Sequence, residues 1–238
     1  DLLPILEPMG LDLEFAVGEG PVIHNPVREA ADVARVRELA DIDRLAFVMD
    51  TVVATRAGLD DSIPVIGFAG APFTLAGYCI EGGTSKSWTL TKQFMMRHEA
   101  AWHDLCGKIA RAVSRYLVAQ LDAGAQLVQV FDSWVGCLSP GDYRRYCLPH
   151  SRAAIAEAAK RAPVIHFASG NPELLPLLAE AGGSVIGIDW RIDLDRGWEM
   201  VGFDKAVQGN LDPVVLFADR DTVRRRTREV LAQAAGRP

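Results

Sequence analysis

The chain has 238 residues, 49% of them hydrophobic and 24% charged, which is an ordinary composition for a globular protein with a buried core. Its net charge of −6 argues against a nucleic-acid partner, because phosphate binding needs clustered lysine and arginine. It has no run of about 18 apolar residues, so we expect no membrane span. We predict one domain over residues 1–238 and, because its cysteines form no CxxC pair and the first residues no signal peptide, a cytoplasmic protein.

The predicted elements begin with a short strand in residues 11–17, where apolar and polar residues alternate, and a helix over 41–58. The first core strand is predicted at 65–68. The glycines and proline after it predict a glycine-bounded loop that contains Tyr78. The spacing of apolar residues predicts a long helix over 98–123.

Five apolar runs, each ending in polar or Gly and Pro residues, form the strongest pattern in the chain. They are IGFAGAPFTLAGYCIEGG (66–83), VQVFDSWVGCLSP (128–140), VIHFASGNPELL (164–175), VIGIDWRIDL (185–194) and AVQGNLDP (206–213). Buried parallel strands read as continuous apolar runs, and helical patterns lie between most of these runs. The pattern predicts an α/β protein with a (β/α)8 TIM barrel, whose functional side chains lie at the carboxyl ends of its strands.

The strand count is lower than a full barrel requires, since five strands are firm and a (β/α)8 barrel has eight. We therefore expect the N- and C-terminal strands to be absent from this chain or not resolved. We expect the five strands to lie side by side, parallel and in sequence order, with Tyr78 and Ser133 at the same end.

Several polar side chains follow the apolar runs, and each has an ordinary structural explanation. An aspartate after a parallel strand commonly caps the next helix, which fits Asp212, and Asp132 and Asp189 can cap turns or pair internally. A lone histidine on an apolar strand, such as His166, is more often a satisfied core residue than a catalyst. Taken singly, each of these residues favours the structural explanation.

Known cofactor motifs do not match the chain. A zinc site of the His-x-Cys type would need a cysteine two residues after His166, where Ala168 stands. The segment GFAGAP lacks the GxGxxG spacing of dinucleotide sites, and neither a P-loop nor a G-x-S-x-G motif is present. We therefore expect neither a metal nor a cofactor.

Four of the motifs together resemble the uroporphyrinogen decarboxylase family: GAPFTLAGYCIEGG, FDSWVGCLSP, VIGIDWRIDL and QGNLDP. The resemblance implies a (β/α)8 barrel, usually a homodimer, that works without cofactor or metal. It also implies decarboxylation of the four acetate side chains of uroporphyrinogen III, giving coproporphyrinogen III in haem biosynthesis.

The resemblance also implies which residues form the site. Asp1 matches the family's key aspartate, which would stabilise the cationic, protonated pyrrole by electrostatic preorganisation. Tyr78 and Ser133 match substrate-binding residues, and Gly70 and Phe131 are expected to line the same cleft.

Two features of the family have no counterpart in this sequence: an arginine-rich N-terminal segment of the type RQAGRYLPEY and a C-terminal histidine motif of the type LGHG. We therefore expect these residues to be the ordered part of a longer enzyme, with little activity when isolated. Three alternatives stay open: a true truncation with an open, inactive barrel, a corrinoid or cobamide methyltransferase of the same superfamily, and a non-catalytic relative that binds a tetrapyrrole or a partner.

Overall fold

A computed structural model of the chain describes residues 2–16, 18 and 20–237. Its strands form a two-stranded antiparallel hairpin and a five-stranded parallel sheet. The hairpin contains β1 (Leu13–Ala16) and β2 (Gly20–Ile23). The sheet contains β3 (Ile66–Gly70), β4 (Leu127–Asp132), β5 (Val164–Ala168), β6 (Val185–Ile188) and β7 (Ala206–Gly209). The five parallel strands lie side by side in sequence order, as the apolar runs predicted.

Helices connect the strands, so that the repeating unit is strand, loop and helix, the arrangement of a (β/α)8 TIM barrel. The α-helices are α1 (Ala46–Gly58), α2 (Pro72–Glu81), α3 (Thr89–Arg97), α4 (Glu99–Asp122), α5 (Pro140–Tyr146), α6 (Leu148–Ile155), α7 (Leu175–Ala181), α8 (Leu194–Val201) and α9 (Arg220–Gln233). None of the helices in the described ranges is long and apolar enough to cross a membrane.

The register of the sheet brings the carboxyl ends of its strands to one edge. Gly70 at the end of β3 pairs with Phe131 near the end of β4, and Asp132 pairs with Ala168 at the end of β5. Ile188 and Gly209 pair in the same way at the ends of β6 and β7. Residues that directly follow these strands therefore meet along this edge.

The two faces of the sheet have different surroundings, because successive side chains on a strand point to opposite faces. Val128 and Val130 of β4 are fully buried on the face covered by helices. The other face carries a row of three aromatic rings, with centroids 6.1 Å apart between Phe68 and Phe131 and 5.9 Å apart between Phe131 and Phe167. These rings are only partly covered, so this face of the described sheet presents an apolar surface.

The core lies between this sheet and its helices, and α4 contributes most to it. Its predicted apolar spacing is confirmed, since Trp102, Leu105 and Ile109 are fully buried. The helix ends before Gly124, whose φ of +110° is a conformation that favours glycine. Helix α4 packs against α2, α6 and β3, so it ties the first strand of the sheet to the helical layer.

The structure corrects the interpretation of the segment after β3. The strand continues to Gly70, and the predicted glycine-bounded loop is instead helix α2, which carries Tyr78. Pro72 suits the first turn of a helix, where its missing N–H costs nothing, and Gly82 ends the helix with a φ of +80°. All residues of α2 from Pro72 to Ile80 are buried, so the helix has no polar stripe that would reveal it in the sequence.

Candidate active site

Three of the predicted site residues meet at the ends of β3 and β4. Gly70 and Phe131 are paired in the sheet, and the N–H of Ala71 donates a hydrogen bond of 2.8 Å to the carbonyl of Phe131. Ser133 directly follows β4 and is half-buried. A built Cβ on Gly70 would lie 2.9 Å from the Leu75 side chain, so a larger residue there would displace the start of α2.

Tyr78 lies on α2 and contacts two tryptophans. Its ring meets that of Trp88 in an edge-on arrangement with centroids 5.6 Å apart, and Trp88 lies 5.3 Å from Trp134. Burial raises the pKa of Tyr78, and a hydrogen bond with the Trp134 side chain opposes that shift. Tyr78 is 8% exposed and its ring packs against that of Trp88, and its raised pKa keeps the phenol neutral at physiological pH.

Trp88 is held in an unusual backbone conformation, with a φ of +54° that few non-glycine residues adopt. Its ring lies against the backbone of α2, since a Cβ built on Gly77 would come within 2.9 Å of it. Gly77 therefore allows the close approach that places Trp88 beside Tyr78.

Asp132 is fully buried on the helix-facing side of the sheet. The hydroxyl of Thr74 on α2 donates a hydrogen bond of 3.0 Å to its Oδ1, and its Oδ2 has no partner among the described residues. Burial raises the pKa of Asp132 to about 7, and the hydrogen bonds from Thr74 oppose that shift. The backbone N–H of Trp134 lies 3.5 Å from the same hydroxyl of Thr74. Thr74 therefore joins α2, one turn before Tyr78, to the segment that carries Ser133.

The loops after β4, β5 and β6 are linked by hydrogen bonds along the same edge. The Ser169 hydroxyl donates to the carbonyl of Ser133 over 2.8 Å, and the Gly170 N–H donates to Oδ2 of Asp189 over 2.8 Å. Asp189 also pairs with the guanidinium of Arg191. The turn cap or internal pair predicted for Asp189 is present, since its Oδ1 accepts the Arg191 N–H over 2.8 Å. No sequence pattern predicted a role for Arg191, Trp88 or Trp134.

The other candidate residues within the described ranges have structural roles. Asp212 caps the turn after β7 by accepting the N–H of Val214. His166 is buried towards α7, 3.3 Å from the carbonyl of Leu178, and burial lowers its pKa to about 4. Asp1 lies outside the described residues.

A metal site does not emerge from the described part of the chain, where no three His, Cys, Asp or Glu side chains form a group able to hold an ion. The four cysteines are all free thiols. Burial raises the pKa of Cys79 to about 12 and that of Cys147 well above its ordinary value, so these thiols are protonated at neutral pH.

Comparison with known proteins gives a match over the full length of the chain. The family model described as uroporphyrinogen decarboxylase matches residues 1–238. A uroporphyrinogen decarboxylase from Carboxydothermus hydrogenoformans is 52% identical over 239 residues, which cover 100% of this chain and 68% of the relative. One from Sorangium cellulosum is also 52% identical over 238 residues, with the same coverage of both chains.

Among solved structures, a methyltransferase from Methanosarcina mazei superposes with a TM-score of 0.80 over 97% of this chain and 69% of that one. Its sequence is 18% identical, so the likeness concerns the fold. A putative vitamin-B12 independent methionine synthase from Listeria monocytogenes is more distant, with a TM-score of 0.54 and 13% identity.

Proposed function

The chain belongs to the uroporphyrinogen decarboxylase family, and we propose that it converts uroporphyrinogen III to coproporphyrinogen III by removing the carboxyl groups of its four acetate side chains. The observation that carries this proposal is the 52% identity to relatives of that name, which extends over the whole chain. The arrangement of residues at the carboxyl edge of the sheet supports it.

The reaction requires a site that stabilises a cation next to a bulky apolar ring system. Protonation of a pyrrole α-carbon makes the ring cationic, and the electrons of the breaking carbon–carbon bond then flow into the ring as CO2 leaves. Protonation of the remaining methylene and loss of the added ring proton restore the pyrrole and leave a methyl group. We assign to Asp1 the carboxylate that holds the pyrrole N–H groups and offsets the positive charge.

The described residues supply binding and orientation. The phenol of Tyr78 and the hydroxyl of Ser133 can hydrogen-bond to substrate carboxylates or pyrrole N–H groups, which fixes the reacting acetate in place. The ring of Phe131 belongs to the aromatic row on the open face of the sheet and offers an apolar surface to a pyrrole. Gly70, at the end of β3 beside Phe131, lacks a side chain that would collide with Leu75.

We further propose that residues 1–238 act as one barrel domain, that the protein is a cytoplasmic homodimer, and that the substrate is its small-molecule partner. The family resemblance supports the dimer, and the free cysteines suit a reducing compartment.

The methyltransferase alternative rests on fold likeness alone. Its zinc motif would place a cysteine where Ala168 stands, and the described residues form no three-ligand group near His166. A zinc assay separates the two functions, because a methyltransferase of that type would carry stoichiometric metal.

The direct test is an anaerobic incubation of the purified protein with uroporphyrinogen III, followed by oxidation and chromatographic counting of carboxyl groups. We expect intermediates with seven, six and five carboxyl groups and a final product with four. Tight binding of the substrate without any loss of CO2 would instead identify the non-catalytic relative.

A further inference from the structure

The loop after β6 places a cation at the edge of the proposed site. Asp189, Trp190 and Arg191 directly follow the strand, and the guanidinium of Arg191 lies 4.4 Å from the centroid of the Trp190 ring. We propose that Arg191 binds a side-chain carboxylate of the tetrapyrrole. This inference rests on the proposed function, because that substrate supplies the carboxylates.

Hydrogen bonds connect this loop to the predicted substrate-binding residue Ser133. The chain of contacts runs from the carbonyl of Ser133 to the hydroxyl of Ser169, and from the neighbouring Gly170 N–H to Asp189. Because β4, β5 and β6 are adjacent parallel strands, Arg191 lies on the same edge of the sheet as Ser133. A ligand that spans several pyrrole rings can therefore contact both residues.

The guanidinium is held in a defined orientation. The side chain of Asp189 is 8% exposed and accepts the backbone N–H groups of Gly170 and Arg191, each over 2.8 Å. This anchored carboxylate fixes one nitrogen of the guanidinium, whose central carbon lies over the Trp190 ring. Ordering an arginine before its ligand arrives reduces the entropy lost on binding.

Arg191 retains donors for a ligand. A guanidinium has five N–H groups, and the ion pair of Arg191 with Asp189 uses the Nη1 atom. The side chain is 43% exposed, so the remaining N–H groups can reach a carboxylate from solvent. Two parallel N–H groups of arginine match the two oxygens of a carboxylate, which is the geometry that lysine lacks.

The negative charge of Asp189 does not prevent Arg191 from binding a substrate carboxylate. Each of its two oxygens already accepts a backbone N–H group, which offsets part of its negative charge. The guanidinium, by contrast, presents N–H donors with a fixed direction to a ligand. Lys92, another cation near the site, has its ammonium engaged by the carbonyl of Cys137 over 3.0 Å. Arg144 and Arg152, by contrast, pair with Glu180 on the outer helices.

The test replaces Arg191 by glutamine and by lysine, with Arg144→Gln as the matched control on an outer helix. For Arg191→Gln we expect the KM for uroporphyrinogen to rise roughly tenfold with kcat within about twofold, because an ionic hydrogen bond to substrate is lost before and during reaction alike. Arg191→Lys should recover part of that affinity, since it keeps the charge without the fork. Arg144→Gln should match the wild type.

A second readout does not depend on turnover. Uroporphyrin, the oxidised octacarboxylate, should quench tryptophan fluorescence on binding, and its Kd should rise in Arg191→Gln by a factor similar to that of KM. An unchanged KM and Kd in Arg191→Gln would overturn the inference, as would a loss of thermal stability with normal affinity, which would make Arg191 a loop-fixing residue. Failure of the proposed function shows differently, as a wild-type protein that does not release CO2.

Discussion

Neighbouring side chains restrain both the ring and the hydroxyl of Tyr78. The ring of Trp88 packs edge-on against its ring, a hydrogen bond with Trp134 acts on its hydroxyl, and its backbone belongs to α2, which begins just after the carboxyl end of β3. Such a tyrosine is suited to orient a substrate, because little reorganisation is needed when the substrate binds.

We predict that Tyr78→Phe lowers kcat by about tenfold or more while reducing the free energy of unfolding by no more than about 1.5 kcal/mol, since it removes one hydrogen bond and keeps the ring. Steady-state kinetics and thermal denaturation measure the two effects. Tyr116→Phe is the matched control, because Tyr116 is also buried but lies on α4 against β3. Normal turnover with a large loss of stability would make Tyr78 a packing residue.

Asp132 is a carboxyl group whose burial should be visible in the pH dependence of stability. Its pKa of about 7 in the folded protein lies above the ordinary value of 3.8, so the folded state binds the proton more tightly than the unfolded state. Its contribution to stability is therefore complete below pH 3.8 and is lost as the pH rises through 7. At 1.36 kcal/mol per pKa unit the loss amounts to about 4 kcal/mol.

Asp132→Asn removes this titration but keeps an oxygen for the Thr74 hydroxyl. We predict that the free energy of unfolding of the variant, relative to the wild type, rises by up to about 4 kcal/mol between pH 4 and pH 8. Urea denaturation at several pH values measures it. His150 and His166, whose pKa values burial lowers to about 4, destabilise both proteins equally in acid and cancel in the difference. A difference that does not change with pH would show that Asp132 titrates normally.

Among the helices and strands, α2 is an element whose type the sequence pattern does not reveal. The strands were predictable from continuous apolar runs, and α4 from the helical spacing of its apolar residues, because each element lies in one characteristic burial environment. Helix α2 is buried on all sides, so its residues carry no periodicity, and its flanking glycines resemble those of a loop. Pro72 before the run and Gly82 after it were the signals that could have identified the helix.

Alanine substitutions at two helical glycines separate the effect of α2 packing on stability from the effect of helix propensity. A Cβ on Gly77 would lie 2.9 Å from the buried Trp88 ring, whereas one on Gly107 of α4 would lie 3.3 Å from the flexible end of Arg111. We predict that Gly77→Ala lowers the free energy of unfolding by about 1–3 kcal/mol and weakens substrate affinity, because Trp88 moves away from Tyr78.

Gly107→Ala is the control for that experiment, since it gains the same helix propensity without the clash. It should raise the free energy of unfolding by up to about 1 kcal/mol and leave activity unchanged. Equal effects of the two substitutions on stability would contradict the proposed packing of Trp88 on α2.

For the molecule as a whole, the sheet explains why residues far apart in sequence lie together at the carboxyl ends of the strands. Parallel order brings the ends of β3, β4, β5 and β6 to a single edge, so the residues after each strand were predictable as neighbours. Their partners were not predictable, because Asp132 depends on Thr74, 58 residues earlier in the chain, and Asp189 on Gly170 from another loop. Those contacts arise from the packing of whole elements.

We expect the tetrapyrrole to bind at the carboxyl ends of the parallel strands. The most direct measurement is a crystal structure of the protein with coproporphyrinogen III bound under anaerobic conditions. We predict density for pyrrole rings against Phe131, with Tyr78 and Ser133 at hydrogen-bonding distance. Density confined to the apolar groove between α1 and β3, lined by Phe47, Val48 and Ile66, would show that the substrate does not bind at the carboxyl ends of the strands.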